Sequence, residues 1–178
     1  RGGPHISMAC TDNLTGFAAA IEAVLPKTEI QNCIIHQIRN STKYVSYKDK
    51  KSFANDLKSI YHAPTEEIGY ERLQSVRKKW ETYYPNSMKS WESNWDAISP
   101  IFKFSSAVRK IIYTTNAIES LNSSYKRLNS QRSVFPSPVA LLKSLYLSTI
   151  QATSKWTMPL RDWGKVYGEF AIMYEGRL

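Results

Sequence analysis

Two carboxylates stand where their surroundings would let them do chemistry. Asp12 follows a short apolar run over 5–10 that reads as a buried strand, and it precedes apolar residues at helical spacing. In open parallel α/β sheets, ligands and catalytic groups collect at the carboxyl ends of strands, where Asp12 would lie. The same position suits a helix cap, and Thr11, Asp12 or Asn13 could each accept a hydrogen bond from the first turn that follows. Glu119 sits near the start of a second amphipathic segment, beside an apolar stripe of Ile118, Leu121, Tyr125 and Leu128. Its polar face carries Asn116, Asn122, Ser123 and Lys126. With Asn116 three residues earlier, Glu119 fits a capping box. The cap accounts for the residue on its own; the functional alternative is a carboxylate held rigidly on a helix, able to reach strand ends and either strongly ionised or bound to a metal.

Cys33 and His36 have the spacing of half a zinc site, but the sequence offers no second half. His5 and Cys10 are the other candidates near the first strand, and nothing in their spacing joins them to that pair. A buried cysteine and a hydrogen-bonded histidine at a strand end account for Cys33 and His36 without a metal. Two cysteines in 178 residues make no disulfide framework and fit a reducing cytosol.

The charge of +9 is unevenly spread. Residues 1–104 carry 14 basic and 11 acidic side chains, and residues 105–178 carry 10 and 4. Between Asp96 and Asp162 the only carboxylate is Glu119, set among Arg109, Lys110, Lys126, Arg127, Arg132, Lys143, Lys155 and Arg161. A field of that sign suits a polyanion such as nucleic acid, and it is equally compatible with an ordinary basic domain. No apolar run reaches the roughly 20 residues of a membrane span, and no signal-peptide pattern opens the chain.

The elements that must position these residues follow from periodicity. A strand over 5–10, a helix over 14–25 stopped by Pro26, and an Ile-rich strand over 30–35 make a strand–helix–strand unit, which implies a parallel pair. After Gln37 the pattern is helical, near 37–45, 49–61, 66–84, 87–97, 106–111, 116–130, 137–153 and 161–174, with prolines as punctuation. Trp80, Trp91 and Trp95 read as core anchors, with base stacking as the sharper alternative. The chain opens on Arg1 with a strand close behind, so a segment upstream of it is expected.

Three strings in order give this sequence a relative. Thr11-Asp12-Asn13-Leu14-Thr15-Gly16-Phe17, then Cys33-Ile-Ile-His36-Gln-Ile-Arg39-Asn40-Ser41, then Tyr113-Thr-Thr-Asn116-Ala-Ile-Glu119-Ser-Leu-Asn122 resemble the Mutator-type transposases of bacterial insertion sequences. Lys155-Trp156-Thr157-Met158-Pro159 and the stretch around Phe170-Ala171-Ile172 resemble the end of the same domain.

The resemblance implies a ribonuclease-H-like α/β core, here without its N-terminal strands, interrupted by a large, mostly helical insertion. Residues 1–36 would be the strand–helix–strand piece, about 37–105 the insertion, and about 106–178 the C-terminal helices. It implies that Asp12 is the second and Glu119 the third acid of an Asp-Asp-Glu triad, both of them metal ligands, with Cys33, His36 and Asn116 in positioning roles. Carboxylates suit hard cations, and two Mg2+ ions (Mn2+ as substitute) about 3.5–4 Å apart can activate an attacking oxygen and stabilise a leaving one. Arg109, Lys110, Lys126, Arg127 and Arg132 would then hold DNA phosphates, which position a strand without reading it.

Further expectations from the resemblance are cleavage and strand transfer of DNA, a homo-oligomer, and a bacterial or archaeal cytoplasmic protein at the nucleoid. The sequence departs from the pattern in two places. Asn13 replaces the usual Gly after the second acid, a change Asn tolerates because it enters the same turn conformations. No Asp precedes Asp12, so the first acid is missing and the chain as given would be catalytically incomplete. The rival is a non-catalytic DNA-binding protein derived from a transposase; a ribonuclease or general nuclease would share the core chemistry.

Overall fold

The computed structural model describes residues 6–113, 116–132, 134–158 and 161–177, with the side chains of 116 and 117 outside that description. His5, Thr114, Thr115, Pro159 and the capping expected of the Asn116 side chain therefore lie outside the described residues. The chain divides into two compact units, residues 1–113 with 168–178, and residues 114–167.

The first unit opens with β1 (Met8–Thr11), α1 (Phe17–Val24) and β2 (Glu29–Asn32). The strands pair in parallel, Met8 opposite Glu29 and Thr11 opposite Asn32. Thr28 Oγ1 donates to the Ile6 carbonyl at 2.7 Å and extends the pairing at one end. At the other end, the Cys33 N–H donates to the Thr11 carbonyl at 2.7 Å.

Two boundaries differ from expectation. The second strand stops at Asn32, because Ile34 already opens α2 (Ile34–Thr42). Ile34 is β-branched, yet it is 1% exposed, and burial from a helical turn outweighs its strand preference. The first helix starts at Phe17, after a turn in which Gly16 adopts φ 80.

The remainder of this unit is helical: α3 (Tyr47–Tyr61), α4 (Glu66–Trp80), α5 (Pro85–Ser93), α6 (Trp95–Ile98), a 3-10 turn (Ser99–Lys103) and α7 (Ser106–Tyr113). Thr65 caps α4 through Ile68 N–H, its first turn carries Glu66 and Glu67, and its last carries Arg77, Lys78 and Lys79, each sign where the helix dipole favours it. The helix ends at Trp80, short of the expected 84, because Pro85 disfavours helical geometry at Tyr84, which takes φ −135 and ψ 60. The single helix expected over 87–97 is broken at Asn94, where φ is −101 and ψ 7.

The core of this unit lies among α3, α4, α5 and the 3-10 turn. Phe53, Leu57, Ile60, Leu73, Trp91, Ile98 and Ile101 are buried there. Trp91 is fully buried, and its indole N–H donates to Ser41 Oγ at 2.8 Å. Trp80 donates to Asp56 at 2.7 Å, and Trp95 packs edge-on against Tyr70. All three tryptophans are thus core anchors, since each is at most 8% exposed and no face is offered to a base. Gly69 of α4 is required by contact: a Cβ there would stand 2.5 Å from Cζ of Phe102.

Arg109 locks this unit's last helix to the rest. Its Nε donates to the Phe104 carbonyl (2.7 Å), its Nη1 to Ala63 (2.7 Å), and its Nη2 to Pro64 (3.2 Å) and Phe102 (3.0 Å). The guanidinium also lies 5.0 Å from the Phe102 ring centroid. The C-terminal residues return to the strands: Tyr174 donates to Glu29 at 2.9 Å, Glu169 accepts the Ser105 N–H, and Arg177 Nη2 donates to the Lys27 carbonyl at 2.6 Å.

The second unit is built on α8 (Asn116–Gln131) and α9 (Pro138–Thr153), which pack against one another. Tyr125 and Thr149 share a 2.7 Å hydrogen bond across the pair. Ser137 caps α9 by accepting the Ala140 N–H. The stripe expected to bury α8 is only partly covered, since Leu121, Tyr125 and Leu128 are half-buried and Ile118 is 68% exposed. The last helix, α10 (Trp163–Met173), runs from this unit into the first. No described helix is long and apolar enough to cross a membrane.

Candidate functional site

Asp12 is exposed and follows directly on the last residue of β1. The capping role that its position allowed is not what the structure shows. The N-cap of α1 is Gly16, with no side-chain cap bond, and a turn of three residues separates Asp12 from it. Its carboxylate is therefore presented at a strand end.

The backbone at that end is held from both sides. Thr11, buried, accepts the Cys33 N–H through its carbonyl, immediately before Asp12. Asn13 follows in the left-handed conformation, φ 62, a geometry that costs Asn less than most residues. Its amide donates to Asn94 Oδ1 at 3.3 Å. Asn94 in turn donates to Gln37 Oε1 (3.3 Å) and Ser90 Oγ (3.4 Å), and Gln37 donates to Ser90 Oγ at 3.0 Å. The network ties the strand end to α2 and α5. Sequence reasoning missed Asn94, Gln37 and Ser90; Asn94 lies 81 positions from Asn13, and no local pattern marks such a pairing.

Cys33 and His36 belong to the same strand end. Cys33 is the N-cap of α2, 5% exposed and free, and His36 lies in the first turn of that helix, one element later than a strand reading would put it. His36 is half-buried, and its Nδ1 is buried with no hydrogen-bond partner in the structure. Desolvation, and then the nearby Cys33, push the Cys10 thiol up to about 11, which favours its protonated form. Among the described residues, no group of three or more His, Cys, Asp or Glu side chains is placed to hold a metal ion.

Glu119 belongs to the second unit. It sits in the first turn of α8, half-buried, where the helix dipole favours a carboxylate. Its main-chain carbonyl accepts Ser123 Oγ at 2.8 Å.

The five cations expected to hold phosphates are divided between the two units. Arg109 uses four of its five N–H donors on main-chain carbonyls, so its role in the structure is architectural. Lys110 is exposed on α7. Lys126 lines an apolar recess with Phe135, Leu141 and Leu145. Arg127 and Arg132 are both exposed and line one polar groove between α8 and α9.

A parallel strand–helix–strand piece carrying an exposed carboxylate, a helical body behind it and a basic helical pair together define a mixed α/β protein, mostly helical, with a small sheet. Residues 1–158 match the model of the Mutator family of transposases, and the chain belongs to that family. It is 42% identical over 178 residues to a probable transposase for an ISRM3-like insertion sequence element of Sinorhizobium fredii, covering 99% of this chain and 44% of that protein. The ISRM3 transposase of Rhizobium meliloti is 41% identical over the same share of each. A probable insertion-sequence transposase of Corynebacterium diphtheriae is 38% identical over 148 residues, 83% of this chain and 43% of that protein. The chain thus spans less than half the length of these relatives.

Proposed function

We propose that this chain supplies two acids to the active site of an insertion-sequence transposase that cleaves DNA strands and joins them to a target. The observation that carries the reading is Asp12, an exposed carboxylate at the carboxyl end of a parallel strand with its backbone fixed on both sides. Family membership supports the second half, because Glu119 stands in the Thr-Asn-Ala-Ile-Glu-Ser string and heads a helix. On this reading the strand–helix–strand piece is part of a ribonuclease-H-like core, and residues of about 37–105 are a helical insertion. The working form is a homo-oligomer on DNA.

Oxygen donors of this kind suit Mg2+ or Mn2+. Asp12 and Glu119 would each provide one carboxylate, and a complete site of three acids needs one more, for which residues 1–11 contain no candidate. When bound, the metal would lower the pKa of an attacking oxygen and stabilise the leaving one. The chain's own contribution is positional. The Thr11–Cys33 hydrogen bond and the Asn13–Asn94 contact hold the residues on either side of Asp12, so chiefly its own side-chain rotamer remains to be ordered when ligand arrives.

The test uses the complete protein that carries this chain. Glu119→Gln keeps shape and removes charge, so Mg2+-dependent cleavage of DNA bearing the element's ends should fall by at least a hundredfold while DNA affinity is unchanged. Undiminished cleavage by that variant would sink the assignment. DNA binding with no metal-dependent cleavage by the unaltered protein would favour a non-catalytic DNA-binding role.

A further inference from the structure

The second unit holds a groove of about 550 Å³ between α8 and α9 that the proposed catalytic acids do not enter. Arg127, Gln131 and Arg132 line it from one side; Ser148, Gln151 and Lys155 line it from the other. On each side the lining residues recur at three- and four-residue spacing, so each helix offers one continuous face. Among the described residues, no carboxylate lines the groove. Small side chains, Ser124, Ser144 and Ala152, also line it.

That chemistry selects the ligand. Drug-sized organic molecules prefer pockets lined mostly by apolar and aromatic side chains, and only two leucines line this one. Two arginines suit paired anionic oxygens, and Lys155 adds a point charge. The glutamine amides add neutral donors. From Ser144 to Ala152 the lining face rises about 12 Å at 1.5 Å per residue, room for a short run of successive phosphates along one strand.

We propose that this groove is a track for a DNA phosphodiester backbone, with Arg127, Arg132 and Lys155 as its cationic contacts. The choice of DNA over another polyanion rests on the transposase reading above. The groove reads no sequence, and it would hold DNA in register while the acids act elsewhere.

The experiment compares four forms of this chain binding a fluorescein-labelled 20-base-pair duplex of arbitrary sequence, by anisotropy across salt concentrations. R127Q/R132Q/K155Q removes the three groove charges. K48Q/K50Q/K51Q removes three exposed charges from α3 in the first unit. Each phosphate contact contributes about −0.9 to the slope of log affinity against log salt, so three contribute about −2.7. Between 50 and 200 mM salt the unaltered chain should lose about 40-fold more affinity than the groove variant. The α3 variant should follow the unaltered chain. R127K/R132K keeps the charges and should keep the slope, which separates lost contacts from lost folding. Equal slopes for the groove and α3 variants, or a groove variant that matches the unaltered chain, overturn the groove. An unaltered chain with no affinity at 50 mM salt overturns the DNA reading itself and the groove with it.

Discussion

Replacing Arg109 by Lys separates two roles that the sequence alone leaves mixed. Lys keeps the charge that a phosphate would feel, but it has one nitrogen in place of the guanidinium's planar fork. In the structure that fork spans four carbonyls, from Ala63, Pro64, Phe102 and Phe104, and it stacks on Phe102. An ammonium can reach one or two of these at a time, so two or three bonds are lost. At about 1 kcal/mol net for each, and about 0.5 kcal/mol for the weakened ring contact, R109K should cost about 2.5–3.5 kcal/mol. At about 3 °C per kcal/mol for a chain of this size, the melting midpoint should fall by about 8–10 °C. The assay is thermal unfolding followed by circular dichroism, with DNA affinity measured on the folded variant at low temperature. Binding should be unchanged there, since the charge is conserved. A midpoint within 2 °C of the unaltered protein, or a loss of affinity without loss of stability, would refute an architectural role and return Arg109 to the DNA surface.

Two further outcomes follow from packing and titration. Gly69→Ala drives a methyl against the Phe102 ring, which Trp95 and Arg109 hold in place, at an overpacking cost of about 1–3 kcal/mol offset by about 1 kcal/mol of helix preference. A lower denaturation midpoint is expected, and the same change in an F102L background should be neutral or stabilising; an identical loss in both backgrounds would rule out the contact. Burial first, then Lys58 and Arg109, hold the His62 imidazole below its ordinary pKa of 6.5, so the unfolded chain takes up its proton first as the medium is acidified. The stability tied to His62 is complete above pH 6.5 and is lost as pH falls through the folded pKa. Melts between about pH 8 and pH 5 should show that decline, and H62Q should flatten it; an H62Q profile parallel to the original would exclude His62 as the source.

The family and the coarse order of elements were largely legible in the sequence. The order of a strand, a helix and a strand, the parallel pairing and the long helical continuation all follow from periodicity, because apolar spacing is a local property. The resemblance that named the family rests on short strings, and the family match over residues 1–158 agrees with it. The tryptophans read as core because large aromatic surfaces seldom stay in water.

What the tertiary structure decided was the use of particular side chains. Asp12, Asn13 and Thr11 look alike as caps in sequence, and only the Gly16 turn shows that none of them caps α1. Arg109 and Arg127 are equally basic in sequence, yet one is spent on carbonyls from two other segments and the other lines an open groove. Ile34 reads as strand until its burial in a helical turn is seen. Several partners that set these uses lie far along the chain: Asn94 for Asn13, Ala63 for Arg109, Phe102 for Gly69. Propensity and spacing act over a few residues and fix the elements. Burial and hydrogen-bond satisfaction act across the fold, and they determine which charges are left to meet a ligand.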